Sequence, residues 1–131
     1  ATSMPNTLLY TSYMMRVVST RPYAEGMAVI LPCYWVYMHV GKCMLKLREE
    51  LGTSVTRPAQ SDQWIDTYAS DEFEKVVHSF IELVDKAAKE ADEETLCKMK
   101  EHFVMCCKLE YMFWTQAETL MKWPEFKEES E

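Results

Sequence analysis

The sequence predicts an all-α protein, on three observations. Apolar residues recur at helical spacing through most of the 131 residues. Glycine and proline are scarce, 3 and 5 in all, so long stretches are free of helix breakers. No segment alternates apolar and polar residues with the period of a strand.

The elements follow in chain order. "PNTLLYTSYMMRVVST" opens on Pro5 and Asn6, a helix start, and Thr20-Arg21-Pro22 ends it. A longer helical pattern runs from Tyr23 to Leu51, where Gly52 stops it; Pro32 lacks a backbone donor and is expected to kink or split it. "GTSVTRPAQSD" reads as a polar loop and "QWIDTYASDEF" as a short helical turn, with Ser70 or Asp71 capping the next helix. In that helix Phe73, Val76, Val77, Phe80, Ile81 and Val84 form one apolar face. After the charged link "KEADEE", a last helix extends from Glu93 to about Met121. Residues 1–131 thus read as a single domain, with 124–131 an acidic tail expected to fray.

Composition excludes several function classes. A net charge of −7 with no basic stripe or Lys/Arg cluster argues against a nucleic-acid partner. The longest apolar run, Met27–Val40, has 14 residues, too few to span a bilayer, so no membrane partner is expected. Five cysteines without a CxxC pair read as reduced thiols of a cytosolic chain. His39 and Cys43 stand one turn apart, but no second pair completes a metal site. His78 and His102 read as surface or boundary positions, and the methionines as core filler.

Two positions invite chemistry. Leu96, Met99, Phe103, Cys106, Glu110, Phe113, Ala117 and Leu120 follow 3,4 spacing, a seam of core positions holding one acid. A carboxyl there has its pKa raised by desolvation and can carry a proton near neutral pH; the alternative is that Glu110 turns to the rim or pairs with a lysine. In "LPCYWVY", Cys33 shares a face with Val29, Val36, Tyr37, Val40 and Met44. A buried structural cysteine is the plainer reading, and the tyrosine one turn on, able to steady a thiol, is what favours a reactive one.

Taken in order, "LPCYWVY", "WIDTYAS" with "EF" just after, and "LEYMFW" resemble the TenA family of aminopyrimidine aminohydrolases, or thiaminase II. The resemblance runs from Tyr10 to Trp114 and implies a bundle like that of haem oxygenase, usually a homotetramer. It implies hydrolysis at the exocyclic carbon of an aminopyrimidine, an aminomethyl-aminopyrimidine or thiamin itself, with no metal or organic cofactor. Carried over by motif, the nucleophile falls at Cys33, its supporting tyrosine at Tyr37, a pocket tyrosine at Tyr68, the acid/base at Glu110 and a further pocket tyrosine at Tyr10. The family's N-terminal helices, with a ring-gripping aspartate, have no counterpart in Ala1–Thr7, so the chain resembles roughly the C-terminal three-fifths of a member. Such a chain is expected to leave apolar helix faces open to water. Two rivals accompany this reading: a helical module that binds a pyrimidine or a protein without turnover, and a bundle enzyme of another kind, such as an oxygenase holding metal or haem.

Overall fold

The computed structural model describes residues 3–125, and all of its regular structure there is helical. Five α-helices follow one another: α1 (Pro5–Thr20), α2 (Tyr23–Leu51), α3 (Ala59–Tyr68), α4 (Asp71–Glu90) and α5 (Glu93–Thr119), with a 3-10 turn at Gly52–Ser54. The all-α expectation holds. The tail from residue 126 on lies outside the described residues.

Local chemistry sets the boundaries. Ser70 proves to be the cap of α4, its hydroxyl accepting from Phe73 N–H at 3.1 Å, and Asp92 caps α5 by accepting from Thr95 N–H at 2.8 Å. Pro5 occupies the first turn of α1, where its missing N–H costs nothing. Pro32 does not split α2, which is one helix of 29 residues. Its ring is buried, and the packing of the four other helices around α2 outweighs the lost backbone bond. The segment after Gly52 is also more ordered than a loop and a turn, because α3 begins at Ala59 and runs 10 residues.

α2 is the axis of the bundle, packing against α1, α3, α4 and α5. One core cluster joins Tyr10 and Val17 of α1, Val29 of α2, and Cys106 and Leu109 of α5. A second joins Met27, Ala28 and Leu31 of α2, Val84 of α4 and Met99 of α5. Each fully buried aliphatic side chain contributes about 1.5–3 kcal/mol. With the 3-10 turn, α2 extends to Tyr23–Ser54 and is long and apolar enough to cross a bilayer by length and composition, which corrects the expectation drawn from the 14-residue run. It packs against the four other helices, and Glu25 near its start is buried.

Four side chains depart from their expected faces. Val76 of α4 and Met44 of α2 are exposed. The α5 seam holds only as far as Phe113: Ala117 is exposed, and Leu120, at φ 51°, is the left-handed cap residue that closes the helix. Gln116 is buried in their stead. Its Oε1 accepts from Asn6 N–H at 2.9 Å and Thr7 N–H at 3.1 Å, so the end of α5 satisfies free donors at the start of α1. Leu8, Leu9, Met15 and Val18 leave one side of α1 exposed, as expected of uncovered faces.

Candidate active site

α1, α2 and α5 meet along a line of buried side chains, and polar groups interrupt it at two levels. At the first, Glu110 of α5 is only 2% exposed. The Tyr10 hydroxyl donates to its Oε1 at 2.8 Å, while Oε2 is buried with no hydrogen-bond partner among the described residues. Of the two readings of Glu110, rim or core, the structure realises the core one, with a tyrosine and not a lysine as partner. An orphaned carboxylate oxygen in a cavity wall is an acceptor held in reserve. Glu110 helps to line a cavity of about 160 Å³ together with Tyr10, Cys33 and Tyr37, and with Thr7 and Phe113.

Cys33 is half-buried on α2 and belongs to two cavities. The second, about 400 Å³, is lined by Cys33, Tyr34, Tyr37, Tyr68 and Phe73, within the size range of small-molecule sites. The four other residues expected from sequence, Tyr10, Tyr37, Tyr68 and Glu110, therefore line the two adjoining compartments that share the Cys33 thiol. Burial, and then the negative charge of Glu110, pushes the Cys33 thiol up to about 11. It rests protonated at neutral pH. Tyr37 is pushed up to about 12, first by burial and then by Glu110, and Tyr10 higher still for the same causes, so both remain hydroxyl donors. No hydrogen bond joins Tyr37 to Cys33 among the described residues; Tyr37 acts here as a wall. Its ring centroid lies 5.0 Å from Tyr68, 6.0 Å from Trp64 and 5.6 Å from Trp114. Tyr34 stacks near-parallel on Phe73 at 6.4 Å, giving the larger cavity a flat apolar side.

Gly41 decides where Tyr68 stands. A Cβ on Gly41 would lie 2.5 Å from the Tyr68 carbonyl carbon and 2.7 Å from its oxygen, so α3 can end against α2 only over a glycine. The sequence signal was a lone glycine inside a helical pattern, which marks close backbone approach.

Two further residues escaped sequence reading. His102, expected at the surface or boundary, is buried, and its Nε2 lies 2.8 Å from Oε2 of the equally buried Glu25. Its partners come from α2 and α1, so no local pattern on α5 could reveal them. The structure also gathers Arg16, Arg21, Lys98, Lys100 and Lys108 around one cavity, correcting the expectation that no basic cluster exists. His39 and Cys43 touch at 3.6 Å on the surface, and among the described residues no group of metal-ligating side chains forms.

The model of the TENA/THI-4/PQQC family matches residues 2–120, and the chain belongs to that family. It is 38% identical over 113 residues to the aminopyrimidine aminohydrolase of Bacillus subtilis (strain 168), covering 86% of this chain and 45% of that protein. The aminopyrimidine aminohydrolase of Halalkalibacterium halodurans is 34% identical over 117 residues, 89% of this chain and 50% of that one. That of Helicobacter pylori is 30% identical over 108 residues, 82% and 48% respectively. The chain thus spans about half the length of the curated relatives it matches, somewhat less than the three-fifths expected.

Proposed function

We propose that this member of the TENA/THI-4/PQQC family is a hydrolase of aminopyrimidines in thiamin salvage, with Cys33 as nucleophile and Glu110 as acid and base. The observation that carries the reading is the carboxyl of Glu110: buried, pinned at Oε1 by Tyr10, bare at Oε2, and sharing a cavity wall with Cys33. The names of the relatives supply the substrate class.

The resting thiol sets the first step. Because Cys33 holds its proton, attack on an electron-poor pyrimidine carbon requires a base, and Oε2 of Glu110 is the free acceptor in that cavity. Sulfur bonds to the ring carbon, the proton passes to Glu110, and the ring loses its aromaticity. The exocyclic carbon–nitrogen bond then breaks, with the nitrogen taking the proton from Glu110 and leaving as ammonia. Water adds at the exocyclic carbon and gives a proton to Glu110. Finally the carbon–sulfur bond breaks, aromaticity returns, and Cys33 recovers its proton. The net change is amine plus water to alcohol plus ammonia. Throughout, Tyr10 donates to Oε1 and keeps Oε2 aimed at the reacting atoms. Tyr37 and Tyr68, with Tyr34 and Phe73, form the slot for the flat ring. Thiamin is a second substrate on this reading, its larger leaving group needing the open compartment. The same reading makes residues 1–131 part of one helical domain of a cytoplasmic protein, and the exposed apolar side of α1 suits a homo-oligomer.

The test is the split between turnover and binding in Glu110→Gln. Gln still accepts from Tyr10 but cannot carry the proton, so kcat is expected to fall about 10²–10⁴-fold with the dissociation constant for the aminopyrimidine nearly unchanged. An equal loss in both would assign Glu110 to binding or packing. A non-catalytic pyrimidine-binding module is the second reading, favoured by the absence, among the described residues, of any cation lining the Cys33 cavities to lower the thiol. Ligand binding without ammonia release in the unaltered chain would establish it.

A further inference from the structure

Two helical turns from Glu110, the same three helices build a second polar level. Glu25 and Cys33 on α2, like His102 and Glu110 on α5, are eight residues apart, about 12 Å along a helix. At this level Arg21 grips Glu25 with Nε at 2.9 Å and Nη2 at 3.1 Å. Burial pushes the Glu25 carboxyl up, but the hydrogen bonds from Arg21 and His102 outweigh it and hold it below its usual range. Glu25 is therefore an ionised acceptor, and His102 must donate to it through Nε2–H. The other ring nitrogen, Nδ1, lies 2.7 Å from the Tyr13 hydroxyl. Tyr13 and His102 in turn line a cavity of about 780 Å³ between α1 and α5.

The walls of that cavity run against the charge of the chain. The net charge is −7, yet five Lys/Arg side chains line the cavity against one carboxylate, Glu101. Arg21 is matched by Glu25, and Lys98 by Glu101 at 2.7 Å. Arg16, Lys100 and Lys108 make no ion pair among the described residues. Arg16 is held with its guanidinium 4.9 Å from the centre of the Tyr13 ring. Gathering unpaired cations costs free energy unless an anion offsets it.

We propose that this cavity is a second binding site, for a small phosphate-bearing anion such as a phosphate ester or diphosphate, held by Arg16, Lys100 and Lys108, with Arg16 positioned over the Tyr13 ring. The site is independent of the chemistry at Cys33.

The experiment is calorimetric titration at constant ionic strength with inorganic phosphate, diphosphate and sulfate. Saturable binding is expected, with diphosphate the tighter of the two phosphates, unchanged by Cys33→Ser and weakened about tenfold or more by Lys100→Glu with Lys108→Glu. Binding that fails to saturate, or that the double variant leaves intact, overturns the site. An oligonucleotide that binds through the same lysines while diphosphate does not would overturn the small-anion assignment.

Discussion

Gly41→Ala sets two opposite effects against each other, and the geometry decides between them. In an exposed helix interior, alanine for glycine stabilises by about 1 kcal/mol. At this position the new Cβ would stand 2.5 Å from the Tyr68 carbonyl carbon, where ordinary contact begins at 3.4 Å. The shortfall, 3.4 minus 2.5, is 0.9 Å, and the obstacle is backbone, which cannot rotate away. The end of α3 must move by about that distance, and overpacking of this kind costs about 1–3 kcal/mol. The net is a loss of up to about 2 kcal/mol. Function is the sharper readout, because Tyr68 moves with the backbone, and a displacement near 1 Å costs about 10²-fold in a positioned reaction. Urea unfolding and aminopyrimidine turnover measured on the same sample test this. A variant more stable than the parent by about 1 kcal/mol, with turnover unchanged, would show that propensity governs and that Gly41 does not place Tyr68.

Other consequences are accessible with simple assays. The Cys33 thiol stands at about 11 against an ordinary 9.0, with burial the larger cause and Glu110 the next. Glu110→Gln should therefore lower it by less than about one unit and speed iodoacetamide labelling of Cys33 at mildly alkaline pH by up to about tenfold; unchanged or slower labelling would contradict the charge coupling. Cys33, Tyr37 and Cys106 stand at about 11, 12 and 12 in the fold, above their ordinary values. The unfolded chain then releases these protons first, so their contribution is full below about pH 9 and lost as pH rises toward 12. A urea midpoint that stays constant across that window would be inconsistent with these burials. Gln116→Ala leaves the Asn6 and Thr7 N–H groups without their acceptor and should cost about 1–3 kcal/mol, while Gln116→Glu retains most of the stability. Equal loss in both variants would point to shape rather than hydrogen bonding.

Legibility in the sequence followed the range of the interactions. α4 and α5 were readable because their apolar faces, and for α4 the Ser70 cap, are local patterns, whereas the Asp92 cap of α5 was passed over as part of a charged link. The continuity of α2 through Pro32 was not, because the local cost of proline is outweighed by packing on every side. Glu110 could be picked out as an acid on an apolar seam, but its partner Tyr10 lies 100 residues away and was legible only through the family motif. The partner of His102 lies 77 residues away, with no motif to announce it, so a buried histidine was read as a surface or boundary one. The basic cavity was hidden for the same reason: α1 and α5 each supply part of it. The shift from Ala117 to Gln116 at the end of the seam reflects the needs of α1, not of α5.

The central claim is that Cys33 attacks the substrate, and ammonia release tests it most directly. The chain and its Cys33→Ser variant, matched in helix content by circular dichroism, are incubated with the aminomethyl-aminopyrimidine, and ammonia and hydroxymethylpyrimidine are followed together. Equal amounts of both products are expected from the parent and at least about 10³-fold less from the variant. Substantial turnover by Cys33→Ser, or none from the folded parent, would contradict it.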